Sequence, residues 1–140
     1  MRLVLDTNTA LSGLLWGGTP GHLIDAAAAG RIELISSAAL LAELQGVLSR
    51  EKFSKQLAKR GITVDDVFDG YAALVLIVTP AVIAPTITRD PADDQVLATA
   101  LAAQVDLIVS GDAHLLDLKR FQNIEIVTAA AAIERIDNAA

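Results

Sequence analysis

The stretch Asp106-Leu107-Ile108-Val109-Ser110-Gly111-Asp112 decides the fold. Asp106 to Val109 reads as a short strand of aliphatic residues, and Ser110-Gly111 carries the chain off its end to an acid. Before it, Pro91 to Ala103 reads as a helix. After it, Asp112 reads as an N-cap for a short helix over Ala113 to Leu118. Ile124 to Val127 is then a last strand, followed by a C-terminal helix. Toward the N-terminus the same alternation repeats. Leu3 to Leu5 is a first strand, followed by a loop rich in Thr, Asn and Ser. Thr19 caps a helix that has Pro20 at its first position and stops at Gly30. Ile32 to Ile35 is a second strand, and Ser36 or Ser37 caps a helix from Ala38 to Leu48. Arg50 to Arg60 and residues 64–76 read as further helices, and 77–88, with Pro80 and Pro85, as a strand or an extended crossing. Short β-branched runs alternating with longer helical ones indicate an α/β fold around a parallel sheet. With 140 residues and neither a repeat nor a linker, residues 1–140 form one domain.

Composition narrows the chemistry. The apolar fraction of 53% supports a real core, and no uncharged apolar run reaches the ~18–20 residues of a membrane span. The start Met1-Arg2-Leu3 has no signal-peptide pattern, so the reading is a soluble cytoplasmic protein without membrane contact. The absence of Cys excludes disulfides, thiolate zinc sites and cysteine nucleophiles. Two His are too few for a histidine-built metal centre, and His22 and His114 read as surface or packing residues. Trp16 reads as a core or interface aromatic. A net charge of −6 makes the chain a poor generic binder of nucleic acid. It can still bind one by concentrating cations in a patch, or by neutralising a carboxylate cluster with divalent metal.

The carboxylates fall in an unusual pattern. Leu40, Leu44 and Val47 mark the apolar stripe of the helix after Ser37, and Glu43 lies within it. Leu97, Ala98, Leu101 and Val105 mark a face of the helix from Pro91, and Asp94 lies three before Leu97. Both acids are therefore expected to point inward. Asp6 follows the first strand and Asp112 follows the Leu107-Ile108-Val109 strand. Ligands of open parallel sheets bind at the C-terminal strand edge, so these two acids meet there if both strands are central. Helices entering from that edge bring Glu43 and Asp94 to the same spot. At ~4 Å and an effective dielectric of ~20, each like-charge pair costs about 4 kcal/mol. No Lys or Arg lies within three residues of any of the four. A hard divalent cation, Mg²⁺ or Mn²⁺, supplies the missing charge through oxygen ligands. Several acids also have a plainer reading: Asp112 and Asp90 as helix caps, Asp93 as a partner of the helix dipole, and Glu43 as an acid reaching solvent. Asn8 reads either as a cap of the turn after the first strand or as a group orienting water or metal.

Taken together, these blocks resemble the PIN-domain family. They are Asp6-Thr7-Asn8 after a first strand, Glu43 within the run Ser36 to Leu44, Arg89-Asp90-Pro91-Ala92-Asp93-Asp94-Gln95-Val96-Leu97-Ala98, and Val109-Ser110-Gly111-Asp112. Each block is weak alone; their order and spacing along the whole chain are specific. The flavour is that of the bacterial PIN toxins of type II toxin–antitoxin pairs, similar to VapC-type ribonucleases. The resemblance implies a three-layer α/β/α fold with a central parallel sheet of four or five strands. It also implies Mg²⁺- or Mn²⁺-dependent endoribonuclease activity, usually on structured RNA. Asp6, Glu43, Asp94 and Asp112 would be the acidic quartet holding metal, with Asn8 and Ser110 as polar helpers and Asp93 as an extra ligand. A homodimer and a small antitoxin protein are the implied partners.

Five of the 11 cations, Arg50, Lys52, Lys55, Lys59 and Arg60, fall within one short segment. That segment is either a phosphate-binding patch for RNA or a solvated helix face. The competing reading of the whole chain is a PIN-like module that engages a protein partner and cuts RNA slowly or not at all. A phosphate-transfer domain fits poorly. The haloacid-dehalogenase pattern wants a second Asp where Asn8 stands, and a receiver domain wants a Lys after a late strand, where this chain has Ser110-Gly111-Asp112.

Overall fold

The computed structural model describes residues 1–86 and 91–139. The elements run β1 (Arg2–Leu5), α1 (Thr7–Trp16), α2 (Gly18–Ala28), β2 (Glu33–Ser36), α3 (Ala38–Leu48), α4 (Glu51–Ala58), α5 (Val64–Leu74) and β3 (Leu76–Ile77). They continue with α6 (Pro91–Ala103), β4 (Leu107–Val109), α7 (Ala113–Leu118), β5 (Arg120–Phe121), β6 (Ile124–Val127) and α8 (Ala129–Asn138). The sheet order is β3-β2-β1-β4-β6-β5, parallel throughout except for the β5–β6 hairpin. The expected count of four or five strands becomes six because β3 and β5 add two-residue edges. Segments that short carry too little periodicity to be read as strands.

Side-chain alternation along the strands divides the core into two layers. Leu3, Leu5, Leu34, Leu107 and Val109 face one side, where α1, α2, α3, α5 and α8 contribute Leu11, Leu15, Leu23, Leu44, Tyr71 and Ile136. Val4, Ile35, Ile108 and Ile126 face the other, against Val96, Leu97 and Ala100 of α6 and Leu115 of α7. The three-layer α/β/α architecture follows.

Two local expectations are corrected. The segment after β1 is a helix, not a loop. Asp6 caps α1 by accepting from the Thr9 N–H, and Ala10, Leu11 and Leu15 form a buried stripe at helical spacing. The polar Thr7, Asn8 and Thr9 are its first turn. The cap of α2 is Gly17, not Thr19, which lies inside the first turn. Gly17 also ends α1, and its φ of 69° is the left-handed geometry that such a sharp joint requires. Other boundaries agree closely. Pro91–Ala103 and Ile124–Val127 are as read, and Ser37 is the α3 cap, accepting from the Leu40 N–H. Arg89 and Asp90, with the expected Asp90 cap, lie outside the described residues.

Candidate active site

From β1 the chain proceeds to β2 and β3 on one side of the sheet, then crosses back to β4, β6 and β5 on the other. The boundary between β1 and β4 is therefore a topological switch point, where parallel sheets open a crevice at their carboxyl edge. Asp6 leaves β1 at that edge, its N–H donating to Val109 O at 3.0 Å. Ser110 leaves β4 at the same level and donates through Oγ to Asp6 Oδ2 at 2.5 Å. The Asp112 N–H in turn donates to Ser110 Oγ at 2.9 Å. Asp6, Ser110 and Asp112 are thus one connected unit spanning the two central strands.

A pocket of about 40 Å³ opens on this unit and is lined by Asp6, Thr7, Asn8, Glu43, Ala92, Asp93, Val96 and Asp112. Its acidic lining residues come from four segments: the β1–α1 junction, the middle of α3, the first turn of α6 and the N-cap of α7. Asp6 and Asp93 are buried, at 4% and 7% exposure, while Glu43 and Asp112 are half-buried. No Lys or Arg is among the described lining residues.

One expected member is displaced by its neighbour. Asp93, not Asp94, lines the pocket, and the Asp94 carboxylate accepts from the Thr86 N–H at 3.2 and 3.3 Å. The buried residues of α6 are Asp93, Val96, Leu97, Ala98, Thr99, Ala100 and Ala103. Leu101, on which the expected face relied, is only half-buried. The inward face is therefore broader than expected, and it includes Asp93. Apolar side chains surround this helix, so periodicity by itself leaves its orientation loose. The i, i+3, i+4, i+7 spacing of Asp93, Val96, Leu97 and Ala100 is the signal that identifies Asp93.

The helpers divide as well. Asn8 lines the pocket, and Ser110 acts from behind it through Asp6 and Asp112. Arg50, Lys52, Lys55, Lys59 and Arg60 are exposed on and around α4 and do not line the pocket. Lys55 is bonded to Glu51 at 2.7 Å, and Lys52 sits 4.8 Å over the Phe53 ring. Phe53 makes an edge-to-face contact with Trp16, which is exposed.

An all-oxygen donor set without a basic side chain among the described lining residues matches the chemistry of Mg²⁺ or Mn²⁺. The acids do not stand as a finished ligand shell, however. Among the described residues no three His, Cys, Asp or Glu side chains converge closely enough to hold an ion. Asp6 and Asp112 also cap helices: Asp6 Oδ1 accepts from Thr9, and Asp112 Oδ1 accepts from the His114 and Leu115 N–H groups at 2.7 and 3.3 Å. Such a pocket suits an ion that keeps several waters between itself and the protein. The field of Asp6 also reaches Tyr71 of α5. Burial, with the Asp6 carboxylate adding to it, pushes the Tyr71 phenol far above its ordinary range.

A parallel sheet with acids gathered at its switch point defines a class, and the family comparison places the chain within it. Residues 2–114 match the family model described as PIN domain, and the chain belongs to the PIN-domain family. Among solved structures, a chain in the crystal structure of VapBC2 from Rickettsia felis, bound to a DNA fragment from their promoter, has a similar fold. The TM-score is 0.58 at 17% identity, covering 90% of this chain and 97% of that one. At that identity the likeness is one of fold. No curated protein matches the chain at a significant level. No described helix is long and apolar enough to cross a membrane.

Proposed function

We propose that this PIN domain is a divalent-metal-dependent endoribonuclease, the toxin of a type II toxin–antitoxin pair. The observation that carries the reading is that Asp6, Glu43, Asp93 and Asp112 line one pocket, with no basic side chain among its described lining residues. Those four residues would hold Mg²⁺ or Mn²⁺. When bound, the cation offsets their mutual repulsion, polarises the scissile phosphate and makes a water nucleophilic near neutral pH. Asp6 is fixed by Thr9 and Ser110, so its carboxylate is oriented before substrate arrives. Asn8 contributes a carboxamide that can orient water or a phosphate oxygen. Glu43, half-buried on α3 and lining the pocket, would complete the metal's shell or orient the attacking water. In-line attack leaves a 3′-hydroxyl and a 5′-phosphate. The α4 cations would hold the RNA backbone away from the cut.

The toxin assignment is supported by the fold shared with a chain of the VapBC2 complex. Exposed Trp16, Leu76, Ile77 and Val82 supply apolar surface for an antitoxin and a second copy of the chain. The same residues favour the second reading, a module that binds a protein partner and cuts slowly or not at all. Incubation of the purified chain with a mixed RNA pool in Mg²⁺, Mn²⁺ or EDTA separates the two. Metal-dependent cleavage that Asp93→Asn abolishes supports the nuclease. Equal background in every lane refutes it and leaves the binding module.

A further inference from the structure

Where α6 meets the start of α3, two hydroxyls are sealed from water. Thr99 and Ser37 are both 0% exposed, and Thr99 Oγ1 donates to Ser37 Oγ at 3.1 Å. Ser37 Oγ also caps α3 through the Leu40 N–H, so both of its lone pairs are engaged. Burying two hydroxyls costs more than burying an apolar pair of the same shape, because each gives up water. What the pair adds is direction. An apolar contact tolerates a turn of one residue; a hydrogen bond does not.

Helix α6 needs such a lock. Its buried residues include the consecutive Val96, Leu97, Ala98, Thr99 and Ala100, so burial is spread around the helix. Packing on the sheet favours the observed orientation without enforcing it. A turn of one residue, about 100°, would bring Asp94 toward the acid pocket in place of Asp93. The same turn would set Ala100, which has no donor side chain, opposite Ser37 in place of Thr99. The Asp94 bond to the Thr86 N–H also opposes the turn, but it is exposed and competes with water. Thr99 lies six residues after Asp93, and Ser37 six before Glu43, about 9 Å along each helix. Neither is among the described lining residues of the pocket. We propose that the Ser37–Thr99 hydrogen bond is a register pin. It holds α6 in the rotation that presents Asp93 rather than Asp94 to the acids, and so sets the cation affinity of the pocket. Thr99 is thus a positioning residue. Its effect on affinity rests on the proposed metal site; its effect on rotation does not.

The chain has no Cys, so one introduced thiol reports on one position. In EDTA, Asp94→Cys should react with a thiol reagent at least about tenfold faster than Asp93→Cys, the more buried site. Added Thr99→Val should narrow that ratio to about threefold or less, as the two positions exchange exposure. Added Thr99→Ser, which keeps the hydroxyl, should restore it. Ile126→Val on β6 is a core loss of similar size away from the pin, and should leave the ratio within about twofold of the parent's. By Mn²⁺ titration, Thr99→Val should bind about threefold to tenfold more weakly than the parent, and Thr99→Ser and Ile126→Val within about twofold of it. If Asp93→Cys does not melt cooperatively, the titration carries the test. An unchanged thiol ratio in Thr99→Val, or equal narrowing or equal Mn²⁺ loss in Ile126→Val, overturns the proposal. A parent that takes up no Mn²⁺ refutes the cation site, and the thiol ratio then decides the pin by itself.

Discussion

Replacing Asp6 with Asn and with Ala separates its charge from its hydrogen bonds. Asp6 is buried, caps α1 through Thr9 and accepts from Ser110 Oγ. Asn keeps an acceptor of equal reach and is an equally good cap. It removes repulsion from Glu43, Asp93 and Asp112, which at ~8 Å and an effective dielectric of ~40 amounts to about 1 kcal/mol for each. Its one amide oxygen can keep the Thr9 bond, while its NH2 group must donate to Ser110 Oγ, so two charge-assisted bonds become neutral, a loss of about 1 kcal/mol each. The repulsion removed slightly exceeds this loss, so Asp6→Asn without metal should melt at or a little above the parent. Ala cannot cap and leaves the Thr9 N–H and the Ser110 hydroxyl without Asp6, for a net cost of about 2–4 kcal/mol. Melting curves in EDTA and in Mn²⁺ measure both. At 100 times its Kd, Mn²⁺ should stabilise the parent by about 2.7 kcal/mol and neither variant. The reasoning fails if Asp6→Asn falls as far as Asp6→Ala in EDTA, or if it keeps the Mn²⁺ shift.

Ser110→Ala removes the donor to Asp6 and the acceptor of the Asp112 N–H at a buried position. It should cost about 1–3 kcal/mol in denaturant unfolding, and a change under 0.5 kcal/mol would show the link to be unimportant. Tyr71 is the single tyrosine, so tyrosinate absorbance reports on it alone. Its raised pKa means that stability is complete below about pH 10, the unfolded value, and declines as pH rises above that. Asp6→Asn should bring phenolate formation to lower pH, and an unchanged titration would deny the coupling. Neutralising Lys52 and Lys59 together should weaken RNA binding and flatten the log–log salt slope by roughly two units; an unaltered slope assigns α4 to a solvated face. Gly13→Ala, which crowds Pro20 and Ile24, should destabilise by about 1–3 kcal/mol in the same unfolding assay.

Most of the architecture was legible because strong local signals agreed with the tertiary result. Ser36-Ser37 before an apolar helix, Pro91 at a helix start, and the Ile108-Val109 and Ile126-Val127 strands were each clear signals, with only the choice between the two serines left to the structure. Asp6 and Asp112 could be placed beside one pocket because strand ends at a switch point are fixed by topology. That Asp93 rather than Asp94 lines the pocket has a physical reason. In α6 nearly every face offers an apolar residue, and which one turns inward is set by packing against β1, β2 and β4 rather than by its own pattern. The first turn of α1 was hidden by its polar Thr7-Asn8-Thr9, whose helical state depends on the Asp6 cap. The two edge strands were invisible because two residues have no period. Placement of the α4 cations away from the acid pocket depends on how α4 docks on α3, which charge spacing does not encode.

Isothermal titration of Mn²⁺ into the parent, Asp93→Asn and Asp94→Asn tests most directly whether this pocket is a cation site. Asn at position 94 can still accept from the Thr86 N–H, so its fold should be undisturbed. The parent and Asp94→Asn should bind with similar affinity, while Asp93→Asn should lose at least tenfold. Binding kept by Asp93→Asn and lost by Asp94→Asn, or no binding by the parent, would contradict the assignment.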